Sequence, residues 1–295
     1  MTDAPNPHAF DVLTARGLLF QLLIVVLVVG VLLNIYVPLA REPGHGAIAM
    51  ITIYAVGSLL LLVRGRLAEL EWRRIFGTAP TRAALPLLAV IVPLILLTWA
   101  AVWLVFVPLS YVVPELVEKT TLARQTAFEV NTLGEFVVLA FAMVVAAPFC
   151  EEMFFRGFLM HRWARRWGTP AGVALSSAAF AVGHSEWVGH FVTGVVFALL
   201  YLRTRSLWVP ILTHAVYNAI FAVPIGLSLL THEQESVESL AEFRDGLGLG
   251  LLTFAAGVFL MWYYKDLYWP NARVTAVLAG PVPYDDEVAP GVLSS

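Results

Sequence analysis

A small set of ionisable and polar residues in this chain has types and spacings suited to hydrolysis at membrane depth. Glu151, Glu152 and Arg156 follow an apolar run that extends from Phe136 to Phe149. Ionisable groups inside a bilayer cost roughly 2.5 to 3.5 kcal/mol each on insertion scales, so their default reading is functional. Glu152 and Arg156 are four residues apart, which stacks them on one helical face in a geometry suited to a buried ion pair. Glu151 projects about 100° away. One carboxylate can then be held by the arginine while the other takes a proton from water, two environments giving one site two roles. Further along, Phe180 precedes His184, and His214 precedes Asn218, each by one helical turn. An imidazole pair and an amide can orient a water or a metal ion and stabilise the oxyanion formed when water attacks a peptide carbonyl.

The elements that must carry these groups are membrane helices. The chain is 59% hydrophobic and 13% charged, with a mean hydropathy of +0.80; soluble domains are about 45 to 50% apolar and about 25% charged. Windows long enough to span fall at roughly 16–40, 44–63, 84–110, 132–160, 170–188, 190–203, 207–230 and 246–264. The expected fold is all-α, a polytopic integral membrane protein of about eight transmembrane helices. The short sixth window, and Pro210 and Pro224 in the seventh, predict a kinked, tilted or incomplete helix there. The first window is too long for a signal-peptide core and reads as a retained helix.

Four segments follow from this pattern: N-terminal transmembrane helices over 1–130, a catalytic core over 131–230, a loop with the last helix over 231–270, and a tail over 271–295 whose composition reads as disordered. Arginines cluster in the loops after the second, fourth and sixth helices: Arg64, Arg66, Arg73, Arg74 and Arg82; Arg162, Arg165 and Arg166; Arg203 and Arg205. These loops should be cytoplasmic, and with them both termini. A prokaryotic plasma membrane is the expected location. Nothing suggests a nucleic-acid partner; the expected partners are a peptide or protein substrate and the bilayer itself.

Other residues have simpler readings. Cys150, the single cysteine, lies in an apolar run where a thiol packs as a small hydrophobe. Glu186 and His190 flank the turn between the fifth and sixth helices and read as solvated loop residues, while Arg162, Arg165 and Arg166 beside Trp163 and Trp167 read as an interface anchor. No HExxH is present, Gly226 to Leu229 is not a GxSG serine motif, and the Tyr284–Asp285 pair has no accompanying GxGD.

Three patterns stand in order on separate helices: EExxxR from Glu151 to Arg156, FxxxH from Phe180 to His184, and HxxxN from His214 to Asn218. With them the chain resembles the CPBP family, the CAAX-protease and bacteriocin-processing membrane proteins, over about residues 130–225. The resemblance implies a glutamate-dependent intramembrane endopeptidase. Glu151 would be the general base and His184 would help position the water. His214 and Asn218 would stabilise the oxyanion, and Glu152 with Arg156 would hold the site together. It also implies a possible zinc ion with Glu151, His184 and His214 as ligands, or a mechanism without metal. Substrates in such a family include prenylated CAAX termini and bacteriocin-related proteins. The competing readings are a transporter or proton-relay protein, in which the same groups form an ion pathway, and a non-catalytic immunity or scaffold protein.

Overall fold

The computed structural model describes residues 45–119, 130–184, 186–231 and 239–269, with isolated positions 17 and 21. Apart from those two positions, the expected first helix lies outside the described residues, as does the tail from Asn271, and among the described residues there is no strand. Helix α1 is His45–Leu67 and the short α2 is Trp72–Phe76; a 3₁₀ stretch, Arg82–Val90, runs directly into α3, Ile91–Val112. Helix α4, Leu133–Trp167, carries the first motif. It is followed by α5 (Thr169–Val182), α6 (Trp187–Thr204) and α7 (Trp208–Thr231), then α8 (Leu240–Asp245), α9 (Leu247–Tyr263) and α10 (Lys265–Tyr268).

Among the described residues, six stretches are long and apolar enough to cross a membrane, those of α1, α3 with its 3₁₀ lead, α4, α6, α7 and α8 with α9. With the first expected helix outside the described residues, this is compatible with about eight helices. The fifth differs from expectation. Predicted over roughly 170–188, it ends at Val182 after 14 residues, about 21 Å of helix against a hydrocarbon core of about 30 Å. The cause is local: the amides of Gly183 and His184 fold back onto the carbonyls of Phe180 and Ala181, and the next helix starts at once behind the cap residue Glu186. Helix α5 therefore stops short, and irregular backbone at that depth is tolerated only where protein covers it. The sixth window is a full helix. Pro210 sits in the first turn of α7, where its missing N–H does no harm, and the helix continues through Pro224.

Helix α4 starts where Thr132 accepts the amide of Glu135 and Glu135 Oε2 accepts the amide of Asn131, close to a capping box. It ends at Gly168, whose φ of 86° is open to glycine at little cost. Between these ends it is widened twice into π-helical turns, at Ala142–Ala146 and Phe155–Leu159, a form that recurs at functional sites. α4 packs against α1, α5 and α7, while α6 lies against α3 and α5, and α9 runs along α3. Met153, Phe158, Phe197, Leu200 and Leu94 fill the centre.

Candidate active site

The first motif folds into a buried ion pair. Arg156 Nη1 donates to Glu152 Oε1 at 2.8 Å, and neither side chain has any solvent exposure. Arg156 Nη2 donates to the Gly194 carbonyl of α6 at 3.0 Å. The guanidinium lies 4.6 Å from the ring centroid of Phe180, with Phe197 and Phe155 at 5.6 and 5.9 Å. Aromatic faces and a carboxylate replace the water that a buried arginine loses. This is why FxxxH needs its Phe: Phe180 supports Arg156 and also stands edge-on to His214, centroids 5.8 Å apart.

The third motif joins at the same oxygen. His214 Nδ1 is 2.9 Å from Glu152 Oε1, so that one atom accepts from both Arg156 and His214. This contact fixes the imidazole and points its other nitrogen at Glu151: Nε2 lies 4.0 Å from Glu151 Oε2. That distance is too long for a direct hydrogen bond and short enough for both atoms to share one water. Glu151 Oε2 is buried with no hydrogen-bond partner among the described residues. Oε1 accepts the hydroxyl of Tyr54 from α1. Glu151 is thus gripped at one oxygen and open at the other.

Asn218 turns toward α4, where its Nδ2 donates to the Met143 carbonyl at 2.8 Å. That carbonyl lies in the first π turn. The amide of Ala147 goes to Ala142 and Pro148 has no N–H to offer, so a side chain from a neighbouring helix serves the widened turn instead. The second π turn is served from within α4, by His161, whose Nδ1 lies 2.9 Å from the Arg156 carbonyl.

His184 stands just past α5 rather than within it. Its Nδ1 is 2.8 Å from the Phe180 carbonyl, which makes Nδ1 the donor, so that in the neutral form of the ring Nε2 carries the lone pair. It lies within electrostatic reach of Glu151 and His214. Glu186 and His190, expected in solvent, are not there. Glu186 is 1% exposed, with both carboxylate oxygens on the amide of Gly189, and the His190 ring stacks on His184 at 4.0 Å. A capping acid ahead of an apolar helix, with His190 one turn on, was the sequence signal. Tyr54 had a fainter one, a phenol in the middle of an apolar helix.

Glu151, Glu152, Arg156 and His214 therefore form one contact network with His184 beside it, and Asn218 braces the wall. Among the described residues, no three His, Cys, Asp or Glu side chains converge as a metal-holding group. Glu151, His184 and His214 are not gathered into such a group, and no step below is routed through a metal.

Residues 133–220 match the family described as type II CAAX prenyl endopeptidase Rce1-like. This segment is similar to that family. The match accords with the resemblance carried by the three motifs, all of which it contains. No curated protein and no solved structure matches the chain. The apolar helices and the Rce1-like match make this an integral membrane protein. Residues outside the Rce1-like segment complete its surroundings: Tyr54 on α1 reaches Glu151, and Thr98 on α3 accepts the Tyr217 hydroxyl at 2.8 Å.

Proposed function

We propose that the chain is an intramembrane endopeptidase in which Glu151 activates water against a peptide bond. The Rce1-like match supports a peptide-bond hydrolase in general terms. The observation that carries the mechanism is the 4.0 Å separation of Glu151 Oε2 and His214 Nε2, with the first of these atoms buried and open. A water placed there donates one proton to Glu151 as its oxygen attacks the carbonyl carbon. The carbonyl oxygen becomes an oxyanion, met by Nε2–H of a doubly protonated His214 whose Nδ1–H stays on Glu152. The second N–H of Asn218 is the other donor. Glu151 then returns its proton to the leaving amide nitrogen as the C–N bond breaks. Glu152 and Arg156 touch no reacting atom; they fix His214. His184, with its lone pair outward, orients the water.

The substrate class that suits this reading is a membrane-associated peptide or protein, prenylated CAAX termini included, and both termini of the chain would be cytoplasmic. The test is cleavage of a panel of prenylated and unprenylated membrane peptides by purified protein, wild type against Glu151→Gln, with and without a chelator and zinc add-back. Loss of cleavage in Glu151→Gln with unchanged folding is the expected result, at roughly a hundredfold or more for a removed general base. Cleavage that survives the substitution overturns the mechanism. Chelator sensitivity reversed by zinc would overturn the metal-free scheme alone, while absence of cleavage by both forms would favour an ion-pathway or scaffold role.

A further inference from the structure

His184 is the one member of the candidate site that stands on irregular backbone. Its neighbours on α4 and α7 are held by helices, but His184 lies in the turn beyond Val182 and needs support from elsewhere. One face of its ring meets Phe180, with centroids 4.6 Å apart and planes tilted by 45°. His190 lies nearly parallel to it, 4.0 Å away at 17°. His190 is itself fixed: its Nδ1 donates to the Glu186 carbonyl and lies 3.4 Å from Glu186 Oε2. Glu186 is locked in turn by its grip on the Gly189 amide, at 2.9 and 3.0 Å. The arrangement requires glycine there, because a Cβ on Gly189 would lie 2.6 Å from the Thr98 Cα of α3 and against the Glu186 carboxylate.

We infer that His190, held by the buried cap residue Glu186, is a positioning residue that sets the ring plane of His184. The inference rests on the proteolytic reading only for its kinetic consequence; the geometry stands apart from it. The chain of dependence runs in one direction: the start of α6 fixes Glu186, Glu186 fixes His190, and the stacked imidazole leaves His184 one orientation in which its Nδ1 meets the Phe180 carbonyl. On the proposed mechanism, that is the orientation in which its Nε2 orients the attacking water. What the site needs from His190 is a flat ring, and another flat ring would serve.

The experiment compares full-length wild type with His190→Phe, His190→Leu and His190→Ala in phospholipid nanodiscs. The first readout is NMR of ¹⁵N,¹³C-histidine-labelled protein, with the His184 resonances assigned by His184→Gln. The upfield ring-current shift that a parallel neighbour imposes on His184 should persist in His190→Phe and vanish in His190→Leu. The second is steady-state cleavage of a prenylated CAAX peptide. The leucine variant, which fills the space without a ring, should lose roughly tenfold or more in kcat at near-constant KM, since small misplacements near reacting groups are costly. The phenylalanine variant should recover most of that loss. If the alanine variant does not fold, the leucine variant carries the comparison. A His184 shift unchanged in His190→Leu overturns the inference, as does equal kcat loss in the leucine and phenylalanine variants. Cleavage surviving in Glu151→Gln would instead overturn the Glu151 mechanism, and absence of cleavage by wild type the enzymatic reading; either would leave the NMR result to decide this one.

Discussion

Tyr54 of α1 donates its hydroxyl to Glu151 of α4, although α1 lies wholly outside the Rce1-like segment. The hydroxyl occupies Oε1 and leaves Oε2 as the single oxygen turned toward His214. Tyr54→Phe removes the donor and keeps the ring. The expected outcome is a fall in kcat of roughly tenfold, the kinetic equivalent of about 1.4 kcal/mol, with the thermal midpoint little changed. Wild-type kcat in this variant would remove Tyr54 from the positioning of Glu151.

Arg156 makes two charge-assisted hydrogen bonds and lies on an aromatic face, a combination that the ammonium of lysine cannot reproduce. Arg156→Lys should therefore lower abundance and thermal stability nearly as much as Arg156→Ala. Breaking a fully buried pair costs about 3 to 5 kcal/mol. Detergent-resistance or thermal-melt profiles of the two variants check this, and a stable, active lysine variant would contradict it.

Asn218 separates structure from chemistry. Hydrogen bonds between membrane helices average about 0.6 kcal/mol, so Asn218→Ala should unfold only slightly more easily. Its kcat should nevertheless drop roughly a hundredfold, as removal of one oxyanion donor does elsewhere. A loss of activity no larger than the loss of folded protein would confine Asn218 to bracing the Met143 carbonyl.

Glu186→Ala uncaps α6, at a cost of about 1 kcal/mol, and should raise hydrogen exchange at Gly189 and its neighbours in the first turn. Glu186→Gln keeps an acceptor for that amide and should protect the turn. Equal exchange in both would return Glu186 to the role of a loop residue.

Much of this site was legible because period and chemistry coincide. Glu152 and Arg156 at helical spacing announced an ion pair, and the pair is present at 2.8 Å. His214 and Asn218 share a face as their spacing required. What the pattern could not convey is who answers whom across helices: that His214 and Arg156 meet on one oxygen of Glu152, or that Tyr54 reaches Glu151 from a helix nearly a hundred residues earlier. Helical periodicity gives direction around an axis and not the identity of the neighbour. The end of α5 was missed because the window was drawn to the length a span needs, across Gly183, His184 and Glu186, which already break the apolar run and where the backbone turns back.

The two widened turns of α4 bracket Glu151 and Glu152, so the segment between them has its own angular phase. Each turn holds one residue more than an α-helical turn, a surplus equivalent to about 100° of rotation. The carboxylates thus face α1 and α7 only because the helix before them is overlong by one position. A one-residue deletion within Ala142–Ala146 would leave hydropathy and length almost untouched while swinging one helical end against the other, aiming the acids at different neighbours.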